Sequence, residues 1–274
     1  MLRNQELNFD KMPLVMGILN LTPDSFSDGG QFFTAQSAVD QAKRLEDEGA
    51  DILDIGGEST RPYSQAVLQD EELSRIVPVL EKIQGKVKIP ISIDTTKAQV
   101  ASAAIDLGAE IINDISGMES DPEMIEIAKT TQVGVCVMHM LGTPQTMQDN
   151  PMYTNVVADI ISYLKTRDSW LIERGIAPER ICLDPGIGFG KTHAHNLELL
   201  QKAEEFHATG RPILIGHSRK GFVAKVLGSK DIDRCFGTVG VSLALALQRI
   251  QILRVHDVAA NKQALKLFHA IIEF

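Results

Sequence analysis

Eight short apolar runs recur along this chain, nearly all ending on a polar or glycine-rich stretch and leading into a segment of helical period. The runs cover residues 15–19, 52–55, 91–93, 111–115, 133–138, 181–183, 213–215 and 252–255. Between and after them, helical spacing appears at 37–48, 71–83, 97–107, 123–130, 155–174, 196–206, 238–248 and 263–272. The unit is clearest over 90–117, where Ile91 and Ile93 precede Asp94, a helix carries Val100, Ala103, Ala104 and Leu107, and Ile111 and Ile112 precede Asn113. Parallel strands need a crossover of about a dozen residues, and a helix supplies it. Repeated alternation therefore predicts an α/β fold with a parallel sheet, and eight repeats predict closure into a (β/α)8 TIM barrel, a single domain over 1–274. A doubly wound open sheet is the alternative.

Local punctuation supports these boundaries. Asp121 followed by Pro122 reads as an N-cap with proline in the first turn, ahead of the helix at 123–130. Gly49, Gly108 and Gly175 are placed to stop helices. The connections 20–36 and 56–70 are too long for turns and are expected to be lids or binding loops. The first ten residues fit either a strand or a plug across the barrel bottom.

With 44% hydrophobic and 23% charged residues, the 274-residue chain can bury a full core and is not a disordered protein. A formal charge of -9 argues against a nucleic-acid partner or an anionic membrane surface, and leaves room for local basic spots that hold an anionic small molecule. The stretch MLRNQELNFDK has no apolar core of signal-peptide length, and no run is long enough to cross a bilayer, so a cytoplasmic protein is expected. Cys136 and Cys182 lie in apolar runs and Cys235 in a predicted loop, without metal-ligand spacing, which suits buried free thiols.

The ends of the predicted strands carry the chemistry. Asn20 ends the first; Glu58 to Arg61 follow the second; Asp94 ends the third and Asn113 lies in the fourth; His139 and Asp184 end the fifth and sixth; Ser218, Arg219 and Lys220 follow the seventh. Arg254 and His256 stand two apart on the eighth and so share a face, with Val255 turned away. A ring of polar groups at the carboxyl ends of parallel strands is where such barrels bind and react. Asp94, Asn113 and Asp184 offer carboxylate and amide edges to a planar heterocycle with adjacent N–H donors. Arg61, Lys220, Arg254 and His256 supply positive charge for a phosphate or carboxylate.

Several other motifs do not hold. Gly190, Lys191 and Thr192 resemble the end of a phosphate-binding loop, but its first glycine would fall at Pro185. The glycines at 186, 188 and 190 miss the dinucleotide spacing as well. His193 and His195, like His207 and His269, suit helix-start or surface positions, and Met138, Met140 and Met147 suit core. No cluster has transition-metal spacing, whereas Mg2+ held mostly by substrate phosphates and one or two protein oxygens remains open.

Five stretches together resemble a known family: MGILNLTPDSFSDGG from Met16, DIGGESTRP from Asp54, DPGIGFGKT from Asp184, SRKGF from Ser218 and RVHDV from Arg254. The chain is similar, over nearly its whole length, to dihydropteroate synthase of folate biosynthesis. That resemblance implies a Mg2+-dependent, usually homodimeric barrel transferase and sulfonamide target. The implied reaction joins 6-hydroxymethyl-7,8-dihydropterin diphosphate to p-aminobenzoate, giving 7,8-dihydropteroate and diphosphate. It implies a pterin pocket of Asp94, Asn113, Asp184 and Lys220, with Met138, Phe189, Gly216 and Ser218 among the substrate contacts. Asn20 is the implied metal ligand, with Arg254 and His256 on the diphosphate. Loop residues 22–27 and 59–62 are the implied lid, with Thr60 and Arg61 near the substrates and Phe26 and Pro62 against the p-aminobenzoate ring. Asn20, Asp94, Lys220, Arg254 and His256 are the implied catalytic set.

Three positions depart from the family pattern. Gly221 follows Lys220 where many relatives have serine, Tyr63 replaces a common glycine after Pro62, and His217 replaces a common aliphatic residue. A missing serine hydroxyl leaves a backbone N–H as the donor to the p-aminobenzoate carboxylate. Two other readings fit the barrel: a non-catalytic pterin-binding paralogue, which only Gly221 and Tyr63 favour, and a pterin-dependent methyltransferase, which has no use for the STRP loop, Arg254 or His256. A metal-dependent aldolase or isomerase would rest on fold alone.

Overall fold

A computed structural model describes residues 2, 6–9, 12–22 and 35–272 of the chain. They contain the strands β1 (Leu14–Asn20), β2 (Ile52–Gly56), β3 (Ile91–Asp94), β4 (Ile111–Asp114), β5 (Gly134–Met138), β6 (Ile181–Asp184), β7 (Leu214–Ile215) and β8 (Ile252–Val255). The helices are α1 (Ala35–Asp47), α2 (Gln69–Ile83), α3 (Ala98–Asp106), α4 (Met124–Thr131), α5 (Val156–Glu173), α6 (His193–Gln201), α7 (Gly221–Leu227), α8 (Cys235–Leu247) and α9 (Val258–Ile272). All strand pairs are parallel, in the spatial order β6-β5-β4-β3-β2-β1-β8-β7. A bridge between Leu183 and Ile213, with the Leu183 N–H donating to Pro212 O at 3.0 Å, brings the two outer strands together. The sheet is therefore a closed (β/α)8 barrel, and the open-sheet alternative falls away.

The alternation of side chains along each strand divides the apolar residues into two sets. Val15, Leu19, Leu53, Ile55, Ile91, Ile93, Val135, Val137, Leu253 and Val255 point outward into the layer between sheet and helices. Met16, Ile52, Ile111, Cys136, Leu214 and Ile252 point inward and fill the bottom of the barrel. Leu2 is buried on that inner set, with Leu7 and Phe9 packed beside it. The described part of the amino terminus is thus a plug. Gly134 makes room for it, since a Cβ there would stand 2.8 Å from Leu2 Cδ2.

Higher in the barrel the inward positions become polar: Asp54, Ser92 and Asn113, then Asp94, Asp184 and Arg254, most of them buried. An apolar floor beneath a polar upper layer leaves one face for chemistry, the face where the strands end.

Some sequence expectations are corrected. The helix after Pro122 begins at Met124 rather than Glu123, with Asp121 Oδ1 accepting the Glu123 N–H at 3.0 Å and its Oδ2 accepting the Ala98 N–H at the start of α3 at 2.8 Å. The helical segment at 196–206 starts earlier, at His193, where Thr192 and His195 form a reciprocal capping pair, and it gives way to a three-ten turn over Ala203–Thr209. Cys235 is the first residue of α8, not a loop residue. Between β7 and α8 lies α7, which is too short to display a helical period in sequence. Gly49, Gly108 and Gly175 do end helices, at φ of 96°, 104° and 92°. Among the described residues no helix is long and apolar enough to cross a membrane.

Candidate active site

The upper barrel is organised by Arg254. Its Nε donates to Asp54 Oδ2 and its Nη2 to Asp94 Oδ2, both at 2.6 Å, so one guanidinium joins β8 to β2 and β3 across the interior. The Asn113 amide faces the same Asp54 carboxylate at 3.3 and 3.4 Å. Burial raises the Asp94 pKa to about 7; Arg254 opposes the rise, and Asp54 and Glu72 add to it. Burial also disfavours the Arg254 charge, but Asp54 and Asp94 more than compensate and hold its pKa above the ordinary range.

Asp184 closes the opposite side. Its Oδ1 accepts the Gly186 N–H at 2.6 Å, which begins the turn over 186–190. The alternating glycines of that turn have a steric reason. Gly186 has φ 71° and a Cβ there would meet His139 O at 2.0 Å; Gly190 has φ 64° and a Cβ would meet Leu141 O at 2.5 Å. Gly188 lets Lys220 lie against the turn, where Nζ donates to Ile187 O and stands 4.6 Å from the Phe189 ring centre. Burial lowers the Lys220 pKa to about 8 against the pull of Asp184. Burial raises that of Asp184, which Gly186, Lys220 and Lys191 moderate.

His256 and Ser218 form a third group. Ser218 Oγ accepts the His256 N–H at 3.1 Å and lies 3.0 Å from Nδ1. Burial, then Arg254, lowers the His256 pKa to about 4, so at neutral pH this side chain offers a hydrogen bond rather than the charge expected from sequence. Arg219, in a left-handed conformation at φ 56°, pairs with Asp257. Gly216 flanks Arg254, and Met138 is buried at the end of β5.

Asn20 ends β1 half-buried, in register with Gly56. Thr60 joins Asp94, Thr95, Ser116 and Met140 around an open cavity of about 300 Å3 beside the barrel mouth. Arg61 and Pro62 are exposed on the β2–α2 loop, with Arg61 near enough to contribute to the field at His256. Phe26, and the lid residues from Pro23 to Ser27 with it, lie outside the described residues. The structure thus gathers Asp94, Asn113, Asp184, Ser218, Lys220, Arg254 and His256 at one end of the barrel.

Sequence reasoning missed several contributors. Asp54 was legible as a lone acid at an inward position of an apolar strand, two residues from Ile52. Fully buried Lys191, whose Nζ lies 3.0 Å from His139 Nδ1 and donates to Phe189 O at 2.8 Å, had no local signal. Burial pushes its pKa well down, and burial with Lys191 takes that of His139 to about 3. The loop over 139–155 was not singled out either, yet it docks the β2–α2 loop: Tyr63 N–H donates to Pro144 O at 2.9 Å and Gln145 Nε2 to Ser64 O at 3.1 Å. Tyr63 holds φ 63°, which explains why a glycine suits that position.

Residues 16–256 match the family described as pterin binding enzyme. The chain is 44% identical to dihydropteroate synthase of Haemophilus influenzae over 259 residues, covering 94% of each. Among solved structures it resembles Yersinia pestis dihydropteroate synthase in a sulfonamide drug complex, with a TM-score of 0.94, 40% identity and coverage of 100% of this chain and 99% of that one. It also resembles Xanthomonas albilineans dihydropteroate synthase with 4-aminobenzoic acid, with a TM-score of 0.91, 41% identity and coverage of 98% and 96%.

The raised Asp94 pKa makes a thermodynamic prediction. Between the unfolded value near 4 and the folded value of about 7, the native protein binds more protons than the unfolded chain, so this group's contribution to stability falls as pH rises across that window. In urea denaturation at pH 5 and pH 8, Asp94→Asn should gain on the wild type at the higher pH by about 1 kcal/mol or more. A pH-independent difference between the two proteins would show that Asp94 ionises normally.

Proposed function

The chain belongs to the dihydropteroate synthase family of pterin-binding enzymes, and on that premise we propose how its own residues carry out the family's reaction. The enzyme is a transferase of folate biosynthesis: it joins 6-hydroxymethyl-7,8-dihydropterin diphosphate to p-aminobenzoate and releases diphosphate and 7,8-dihydropteroate. The observation that best supports a pterin pocket is the buried set Asp94, Asn113 and Asp184 above an apolar floor, held in place by Arg254 and the 186–190 turn. Carboxylate oxygens there accept from ring N–H and exocyclic amine donors, and Lys220, packed on Phe189, donates to a ring acceptor.

In the chemical step the bond from the pterin methylene carbon to the diphosphate oxygen breaks and its electron pair leaves with the diphosphate. The arylamine nitrogen then forms the new C–N bond, and its proton passes to the released diphosphate. His256 and Arg61 face the departing charge, while Arg254 is largely neutralised by its two carboxylates and serves mainly to hold Asp94 in place. Thr60, Pro62 and the rest of the β2–α2 loop cover the second substrate and exclude water from the cationic methylene. The Yersinia pestis relative was solved with a sulfonamide drug, and we place the same class of molecule in the p-aminobenzoate position here.

Mg2+ fits the donor set. Asn20 offers a neutral side-chain oxygen at the mouth, and no group of three His, Cys, Asp or Glu among the described residues would compete as a transition-metal cage. Asn20 would hold the ion, which would supply charge neutralisation at the diphosphate oxygens.

A homodimer is supported by the inverted character of α8. Its buried positions include Thr238 and Ser242, while Phe236 is 82% exposed and Leu247 66%, and Leu227 and Ile232 are exposed nearby. Three free cysteines suit a reducing, cytosolic setting.

Turnover with the dihydropterin diphosphate and p-aminobenzoate, with and without Mg2+, should give diphosphate and dihydropteroate in equal amounts only with the metal; pterin binding without either product would favour the non-catalytic reading. A Cβ at Gly221 would meet nothing within 4 Å, so Gly221→Ser should fold normally and lower the p-aminobenzoate KM by about two- to tenfold. For the dimer, Phe236→Glu combined with Leu247→Glu should shift sedimentation from dimer to monomer; a wild-type monomer would refute the assignment.

A further inference from the structure

The β2–α2 loop leaves the barrel through a narrow neck built from charged groups that the reaction itself does not use. Arg75 donates to Gly57 O at 2.6 Å, and Gly57 has no room for a side chain, since a Cβ would stand 2.9 Å from Glu72 Cγ. Glu58 then ties the two ends of the loop together: its Oε1 accepts the N–H of Val67, nine residues on, at 3.0 Å. Its Oε2 accepts from Lys97 Nζ at 2.5 Å, and the same ammonium donates to Glu72 Oε2 at 2.5 Å. Glu72 is fully buried on α2, and its Oε1 has no hydrogen-bond partner, so Lys97 is the charge that makes its burial tolerable.

These contacts differ in kind. Lys97, half-buried at the start of α3, pairs with the fully buried Glu72 on the inner face of α2, and removing the ammonium would strand the Glu72 charge away from water. Glu58, at 19% side-chain exposure, is an arm that rests on that post and holds residues 59–66 in a closed loop. Ser59, Thr60, Arg61 and Pro62 all lie in that span. Without the arm, the loop would keep its docking on Pro144 but lose its fixed origin.

Building on the synthase reading, we propose that Glu58, Lys97 and Glu72 form an anchor that positions the β2–α2 loop over the second substrate. They are positioning residues that act through Thr60, Arg61 and Pro62, and the Glu58 arm bonds to Val67 and Lys97 rather than to Asp94, Asn113 or Asp184. Loss of the arm should weaken p-aminobenzoate use without weakening recognition of the pterin ring.

Glu58→Ala is the primary test, because it leaves the Lys97 partner of buried Glu72 in place and the protein should fold. The expected result is an approximately tenfold rise in p-aminobenzoate KM with a smaller fall in kcat, equivalent to one lost charge-assisted contact. Affinity for 6-hydroxymethyl-7,8-dihydropterin, which lacks the diphosphate that the loop would touch, should change less than about twofold. Hydrogen exchange at the Val67 amide and across 59–66 should quicken about tenfold while α2 and α3 keep their protection. Glu58→Gln, which keeps an acceptor for Val67 but not the charge, should fall between, and Lys97→Arg should retain most of the wild-type KM. Unchanged KM and unchanged exchange in Glu58→Ala would overturn the proposal, as would an equal loss of pterin affinity. If the wild type makes no dihydropteroate, the synthase reading fails on that result, and the exchange experiment still tests the anchor independently.

Discussion

The ion triad of Asp54, Arg254 and Asp94 is the contact on which the upper half of this barrel depends. None of the three could sit alone in the interior: a buried charge without a partner costs several kcal/mol, and breaking such a pair typically costs about 3–5 kcal/mol. Together they join β2, β3 and β8, and Asn113 extends the group to β4. The consequence is a rigid polar layer with an ionisable group poised near neutrality. Asp94 titrates at about 7 because burial outweighs the attraction of an arginine it shares with Asp54.

The rest of the molecule supports that layer from below and frames it from above. Below, Met16, Ile52, Ile111, Leu214 and Ile252 pack under the charged residues, with Leu2 as the plug. Above, each loop is fixed by a different device. The 186–190 turn is fixed by glycines where any side chain would collide with the backbone of the 139–155 loop. The β2–α2 loop is fixed by the Glu58 arm and by Tyr63 docking on Pro144. A pocket that must bind a flat ring needs stiff walls, whereas a second substrate that must enter and leave is served by a loop tethered at a few points.

The segment CFGTVGVSLALAL would be read as a buried helix by its apolar content, yet α8 buries a threonine and a serine and exposes Phe236 and Leu247. Inward polarity serves His217, where the resemblance implies an aliphatic residue: its Nε2 lies 2.8 Å from Ser242 Oγ, which in turn donates to Asn261 Oδ1 at 2.6 Å. His217 is thus part of a satisfied buried network.

What the sequence by itself determined was the local periodicity and its repetition. Eight strand-and-helix units, the helix-stopping glycines, the polar strand ends and the shared face of Arg254 and His256 could all be read from spacings of two and 3.6 residues, because those follow from backbone geometry within a few residues. The tertiary structure decided which of those polar groups meet. Asp54 lies 200 residues from Arg254 and Asp94 160 residues from it, and only barrel closure in the observed register brings them to 2.6 Å. A shift of one residue in β2, β3 or β6 would turn its inward acid to the outside. The same holds for Lys191 against His139, for the neutral state of His256 and for the neck at Glu58: each depends on burial and on partners from other units, which no local spacing records.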